Sequence, residues 1–211
     1  HIPYDQAPEY NECVVKGKKW INKLKPDELK KHFAEGLYQK LSTSEVSSHH
    51  DRDIVKDLHR TFPTHPLFYN GSGREILHRI LRAYCSYDAE IGYSQGMGFV
   101  AAFLMLHIPE DEERVFWCLT RLMYAPYYLR YFFAEDCVAL QLCLRQFDRS
   151  LKHCRPELHA HLKLHGVQTS MYATTWFVTV FSYRFPIDFT AIIWERFFKI
   201  GILAVFQAGL A

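Results

Sequence analysis

The sequence has no face-length run of lysine or arginine. Its 25 Lys and Arg against 23 Asp and Glu leave a formal net charge of +2, and acids interrupt even the most basic stretch, Lys16 to Lys31. A nucleic-acid partner is therefore not expected, since such proteins concentrate cations on one face or along one helix. No two of the six cysteines (Cys13, Cys85, Cys118, Cys137, Cys143 and Cys154) have C-x-x-C spacing. A chain of 211 residues does not need disulfide staples, so reduced, buried thiols of a cytosolic protein are expected. The longest apolar run, Gly96 to Ile108, is too short to span a bilayer. No signal-peptide pattern is present, and the chain opens on His1-Ile2-Pro3 rather than methionine, which suggests a piece of a longer protein. Internal repeats, low-complexity tracts and clean strand alternation are also missing.

What is present is apolar and helical. Hydrophobic residues make up 49% of the chain and aromatics 16%, enough for a sizeable core. Residues 1–15 read as an irregular lead-in, followed by a helix-like stretch broken at Pro26 and Gly36. "STSEVSSHHD" reads as a polar loop leading into a helix that ends at Arg60, and "THPLFYNGSG" as another loop. From Arg74, Ile76, Leu77, Ile80, Leu81 and Tyr84 form an apolar stripe at helical spacing. "GMGFVAAFLMLHI" is apolar on all sides, which predicts a buried central helix. Pro109 followed by Glu110, Asp111, Glu112 and Glu113 predicts a helix start. A long helix is expected from about Ala134 to His153, and a short one from Pro156 that Gly166 can cap. "SMYATTWFVTVFSYRF" is a second nearly all-apolar stretch; after Pro186, Ile192, Ile193, Phe197 and Phe198 should face inward. The expected class is all-α, with two central apolar helices wrapped by amphipathic ones.

Three constellations could carry chemistry. In "IVKDLHRTFP", Asp57 and Arg60 are surface neighbours on a helix that Pro63 brings to a stop. They form either an ion pair bracing a helix end or an arginine aimed outward. In "GYSQGMG", three glycines surround Tyr93 and Gln95 ahead of the most apolar helix. Glycines there permit close approach of another backbone, and the glutamine either hydrogen-bonds outward or caps its own loop. In "ELHAHLKLHG", His161 and His165 are one helical turn apart. Without an H-E-x-x-H or a nearby acid or cysteine, a solvated face is the expected reading, and His159, His161 and His165 should not share a metal. No cysteine sits in a nucleophile signature.

In order, "IVKDLHRTFP" and "YSQGM" resemble the I-x-x-D-x-x-R-T-F-P and Y-x-Q-G-M motifs of the TBC-domain family, the GTPase-activating proteins of Rab GTPases. "LRAYCSYDAEIGYSQGM" and "MYATTWFVTVFSYRFPIDFTAIIWERFFKIG" are similar to further stretches of that family, so the resemblance spans about residues 35 to 211. It implies a single helical TBC-like domain over 35–211, with 1–34 as a lead-in. The family's first helix, carrying an arginine and a tryptophan, is not found before "GLYQKL". "KKWINKL" resembles what precedes that helix, so the resemblance implies a segment absent between about Lys25 and Leu37 and a C-terminal end that stops short.

The resemblance also implies a mechanism in trans on a Rab-family small GTPase. Arg60 would be an arginine finger and Gln95 a glutamine finger, standing in for the GTPase's own water-positioning group. Asp57 would hold Arg60 extended, Tyr93 and Gly96 would set the angle of Gln95, and Ile54 would anchor the arginine's helix. GTP and Mg²⁺ would belong to the partner, with no cofactor or metal in this chain. The protein would be cytoplasmic and reach membranes only through the Rab. The alternatives are a catalytically silent Rab-binding scaffold and a plain helical adaptor.

Overall fold

In the computed structural model, which describes residues 5, 9–69, 72–109 and 111–211, every regular element is a helix. The chain separates into two compact units, His1–Ala125 and Pro126–Ala211.

The first unit is built around α7 (Met97–His107). All its residues are buried, as expected of a helix apolar on every side. Around it lie α1 (Tyr10–Leu24), α4 (Ser48–Arg60), α6 (Gly73–Tyr87) and α8 (Glu112–Met123). α2 (Pro26–Lys30) packs on α8, while α3 (Leu37–Thr43) and α5 (Pro66–Tyr69) pack on α6. Of the lead-in expected to be irregular over residues 1–15, residues 10–15 are helix, while residues 1–4 and 6–8 lie outside the described residues. α1 comes so close to α7 that a Cβ on Gly17 would overlap the backbone carbonyl of His107, and Trp20 stacks on the His107 ring with centroids 4.0 Å apart. "THPLFYNGSG" contains a helical turn, α5, while its Asn70 and Gly71 lie outside the described residues. α8 begins later than its proline suggests. Asp111 is the N-cap and accepts the Arg114 amide at 2.8 Å, and the Glu110 of that expected start lies outside the described residues.

The second unit contains α9 (Arg130–Phe133), α10 (Val138–Cys154), α11 (Pro156–Leu164), α12 (Thr169–Thr179), α13 (Ile187–Ile200) and α14 (Leu203–Leu210). Phe147, Phe177 and Phe206 form its aromatic centre, with ring centroids 5.0–6.0 Å apart. Gly209 lets α14 sit on that cluster, because a Cβ there would come within 2.8 Å of the Phe147 ring. Gly166, in the left-handed region at φ 70°, follows the end of α11 as its sequence position suggests.

Three expectations need correction. α12 is not covered on every side: it buries Ala173, Phe177 and Val178 but leaves Met171 68% exposed. Its threonines and serine give it a mixed face that a count of apolar letters hides. On α13, Ile193, Phe197 and Phe198 are buried, but Ile192 is 59% exposed, because helical spacing puts it on the side opposite the buried stripe that also includes Thr190, Ala191 and Trp194. The cysteines are all free, yet only Cys13, Cys85 and Cys118 are buried, and Cys154 is exposed at the end of α10. Among the described residues no helix is long and apolar enough to cross a membrane.

Candidate functional site

The site lies in the first unit, at the C-terminal end of α4 and the loop that leads into α7. Ser47 caps α4 by accepting the His50 amide, and Ile54 and Leu58 bury its inner face. Ile54 is completely covered, which fixes the helix rotation and thereby the direction of Asp57 and Arg60. The helix stops at Thr61, whose hydroxyl donates to the Asp57 carbonyl at 2.7 Å. Phe62 then turns the chain with φ 43°, its ring 6.0 Å from that of Phe68 and 6.4 Å from that of Phe103.

Asp57 is the hub. Its Oδ1 accepts from Arg60 Nε at 2.8 Å and Nη2 at 2.6 Å, and its Oδ2 accepts from the Tyr93 hydroxyl at 2.5 Å. The carboxylate is buried, with 9% of its side-chain surface exposed, while that of Arg60 is 40% exposed. One partner is thus anchored and the other presented. Burial pushes the Tyr93 hydroxyl pKa up, and its bond to Asp57 pushes it further, so Tyr93 is a fixed donor.

The loop is held from both sides. His50 Nδ1 accepts the Tyr93 amide at 3.3 Å, and its ring fills the space where a Cβ on Gly92 would stand. Gly96 adopts φ 108° at the N-cap of α7, a conformation costly for any residue with a Cβ. Between these fixed points Gln95 is exposed. Its amide carbonyl accepts from Arg60 Nη2 at 2.9 Å and Nη1 at 3.2 Å, an orientation assigned because the opposite one sets nitrogen against nitrogen. Asp53, Lys56, Asp57, Arg60, Tyr93 and Gln95 line one open groove of about 390 Å³.

Of the six residues singled out in the sequence, Asp57, Arg60, Tyr93 and Gln95 line this groove, while Ile54 is buried on the inner face of α4 and Gly96 is the N-cap of α7 next to Gln95. Three others were missed. Lys56 stands one turn before Arg60 and pairs with Asp53 at 2.8 Å. Helical spacing from Arg60 and Asp57 would have placed both on the groove side. His50 left no such signal, because its role depends on a loop distant in sequence.

Of the histidines, His159 is buried and pairs with Asp148 at 3.3 Å, while His161 and His165 lie side by side with ring centroids 4.5 Å apart. Among the described residues no group of three or more His, Cys, Asp or Glu side chains could hold a metal ion.

An all-helical domain that presents an arginine and a glutamine from separate elements in one open groove defines a narrow class. Residues 12–211 match the Rab-GTPase-TBC domain model, and the chain belongs to that family. It is 41% identical over 166 residues to the GTPase-activating protein GYP5 of Eremothecium gossypii, covering 79% of this chain and 19% of that protein. It is 39% identical over 160 residues to the Rab GTPase-activating protein tbc-11 of Caenorhabditis elegans, covering 75% and 17%. The fold is similar to the crystal structure of the Chlamydomonas flagellar RabGAP TBC domain, with a TM-score of 0.81 and 24% identity, covering 98% of this chain and 67% of that one. The chain spans about a fifth of the length of these curated relatives (19% and 17%).

Proposed function

We propose that this chain accelerates GTP hydrolysis by a Rab-family small GTPase, with Arg60 and Gln95 as the catalytic residues supplied in trans. The observation that carries the reading is the convergence of an exposed, carboxylate-held Arg60 and an exposed Gln95 in one groove. Its relatives' names describe GTPase-activating proteins.

Intrinsic GTP hydrolysis is slow because charge builds on the phosphoryl oxygens and the attacking water is poorly held. An arginine delivered from outside neutralises that charge, an effect of about 10³ to 10⁵ in rate, or roughly 4 to 7 kcal/mol. Arginine suits the task because its fork remains charged and reaches several oxygens. Asp57 holds Nε and Nη2, which presets the direction of the guanidinium before the partner arrives. In the free protein Gln95 spends its carbonyl on Arg60. When the guanidinium turns to phosphate, the amide is released next to it, free to orient a water with its donor and acceptor. GTP and Mg²⁺ belong to the GTPase in this scheme. Recruitment to membranes is peripheral, through the Rab.

The test is a panel of purified Rab GTPases assayed for phosphate release with and without the protein. Acceleration of at least one Rab that Arg60→Ala abolishes supports the proposal. Rab binding without acceleration across the panel would replace it with the scaffold reading.

A further inference from the structure

The second unit contains a pocket of about 520 Å³ between α10, α11 and the start of α12, lined among others by Arg145, Arg149, Lys163, His159, Thr169 and Tyr172. That volume lies in the range of small-molecule sites. Asp148 is the only acid lining it, and it is already engaged: Thr169 Oγ1 donates to Oδ1 at 2.7 Å, and His159 Nε2 lies 3.3 Å from the same oxygen. These bonds brace α10 against α11 and α12 and shape the pocket wall. Arg145, Arg149 and Lys163 make no hydrogen bond or close ion pair among the described residues.

This arrangement is electrostatically unfavourable when empty. Arg145 and Arg149 are one turn apart on α10, a like-charge pair that weakens a helix. α12 begins at the same place with no side chain capping its first amides, which adds the positive end of a helix to the cluster. Tyr172 also lines the pocket. Three cations with no hydrogen bond of their own, beside a helix start that no side chain caps, are complementary to a ligand bearing several phosphate oxygens.

We propose that this pocket is a binding site for a compact phosphorylated ligand, separate from the Arg60–Gln95 groove. Phosphate monoesters on a small polar ring supply the charge and the acceptors that the pocket lacks. The source is either a soluble phosphorylated molecule or a lipid headgroup. Leu164, 81% exposed and next to Lys163, is placed to enter a bilayer in the second case.

Two probes test this on the full chain: myo-inositol hexakisphosphate by calorimetry, and flotation with phosphatidylcholine vesicles containing phosphatidylinositol bisphosphate. Saturable one-to-one binding of either probe is expected. It should fall about tenfold for each cation removed in Arg145→Gln and Arg149→Gln, since a charge-assisted hydrogen bond contributes at least that factor. Both arginines are exposed, so the variants should keep their helicity by circular dichroism and their activity toward a Rab. Vesicle binding reduced by Leu164→Ser with calorimetry unchanged assigns the lipid source; soluble binding with no flotation assigns the free one. The proposal is overturned if neither probe binds saturably. It is also overturned if Lys18→Gln and Lys19→Gln, exposed cations of the first unit, weaken binding as much.

Discussion

The Tyr93 hydroxyl and the Arg60 guanidinium hold opposite oxygens of one buried carboxylate, that of Asp57. The arginine at the end of α4 and the loop that carries Gln95 are therefore coupled through a single side chain, and Tyr93 acts on both.

Tyr93→Phe removes the donor to Oδ2 and little else, because the ring can stay where it packs. A buried carboxylate oxygen left without a partner costs about 1 to 3 kcal/mol. The midpoint of thermal unfolding should fall by several degrees, and GTPase acceleration should drop because both Arg60 and Gln95 lose their common anchor. A variant with unchanged stability and full activity would show that Asp57 does not need Tyr93.

Gly96→Ala tests the loop from its other end. With φ at 108°, alanine has to strain the backbone or reset the loop, at a cost of about 1 to 3 kcal/mol. The expected result is lower stability together with a loss of activity larger than the stability loss explains, read as hydrolysis rate at saturating protein well below the unfolding temperature. Activity that merely tracked the folded fraction would reduce Gly96 to a structural residue.

How much of this was legible in the sequence follows from which residues act locally. Asp57, Arg60 and Ile54 lie on one helix, so helical spacing made Asp57 and Arg60 neighbours, and the resemblance singled out all three. Gly96 announced a backbone requirement by its residue type. α7 was legible because no face of it is polar, whereas α12 was misread because threonine and serine allow exposure that its neighbouring aromatics conceal. Long-range partners left no local trace. The His50 acceptor for the Tyr93 amide, the Asp57–Tyr93 bond and the seat of Trp20 on His107 join residues far apart in the chain.

His107 makes stability depend on pH. Its Nδ1 donates to the Phe103 carbonyl at 2.9 Å, Trp20 covers the ring, and Nε2 is buried without a partner. Burial pulls its pKa from 6.5 down to about 4. The folded state therefore resists a proton that the unfolded chain accepts. The protein should be at full stability, with respect to this group, above pH 6.5 and lose stability as pH falls from there toward about 4, by about 3 kcal/mol in all. His107→Phe keeps an aromatic against Trp20 but cannot titrate. Its urea midpoint should change less between pH 7 and pH 4.5 than that of the parent; equal slopes would assign the acid sensitivity elsewhere.

The last prediction concerns Arg60 and Gln95 together. Their side chains touch in the free protein, with the Gln95 carbonyl on the guanidinium at 2.9 and 3.2 Å. Arg60→Ala and Arg60→Lys should each remove most GTPase acceleration, since lysine keeps the charge but not the fork. Arg60→Ala should also lower stability, by about 1 to 3 kcal/mol, because the buried Asp57 Oδ1 loses its partner, whereas Arg60→Lys keeps a cation beside it. Gln95→Ala should also cut activity strongly, as the attacking water loses its positioning group. Asp57→Ala releases Arg60 and leaves the Tyr93 hydroxyl unpaired, so activity and stability should fall together. The double change at Arg60 and Gln95 should be scarcely worse than the worse single one, because groups acting on one transition state are not additive. The decisive measurement is single-turnover hydrolysis on a Rab that retains its own glutamine. Full activity of Gln95→Ala there would mean that the partner's glutamine positions the water and Arg60 alone carries the catalysis. Additive losses would mean that the two side chains act at different steps, with Gln95 serving recognition of the GTPase rather than its chemistry.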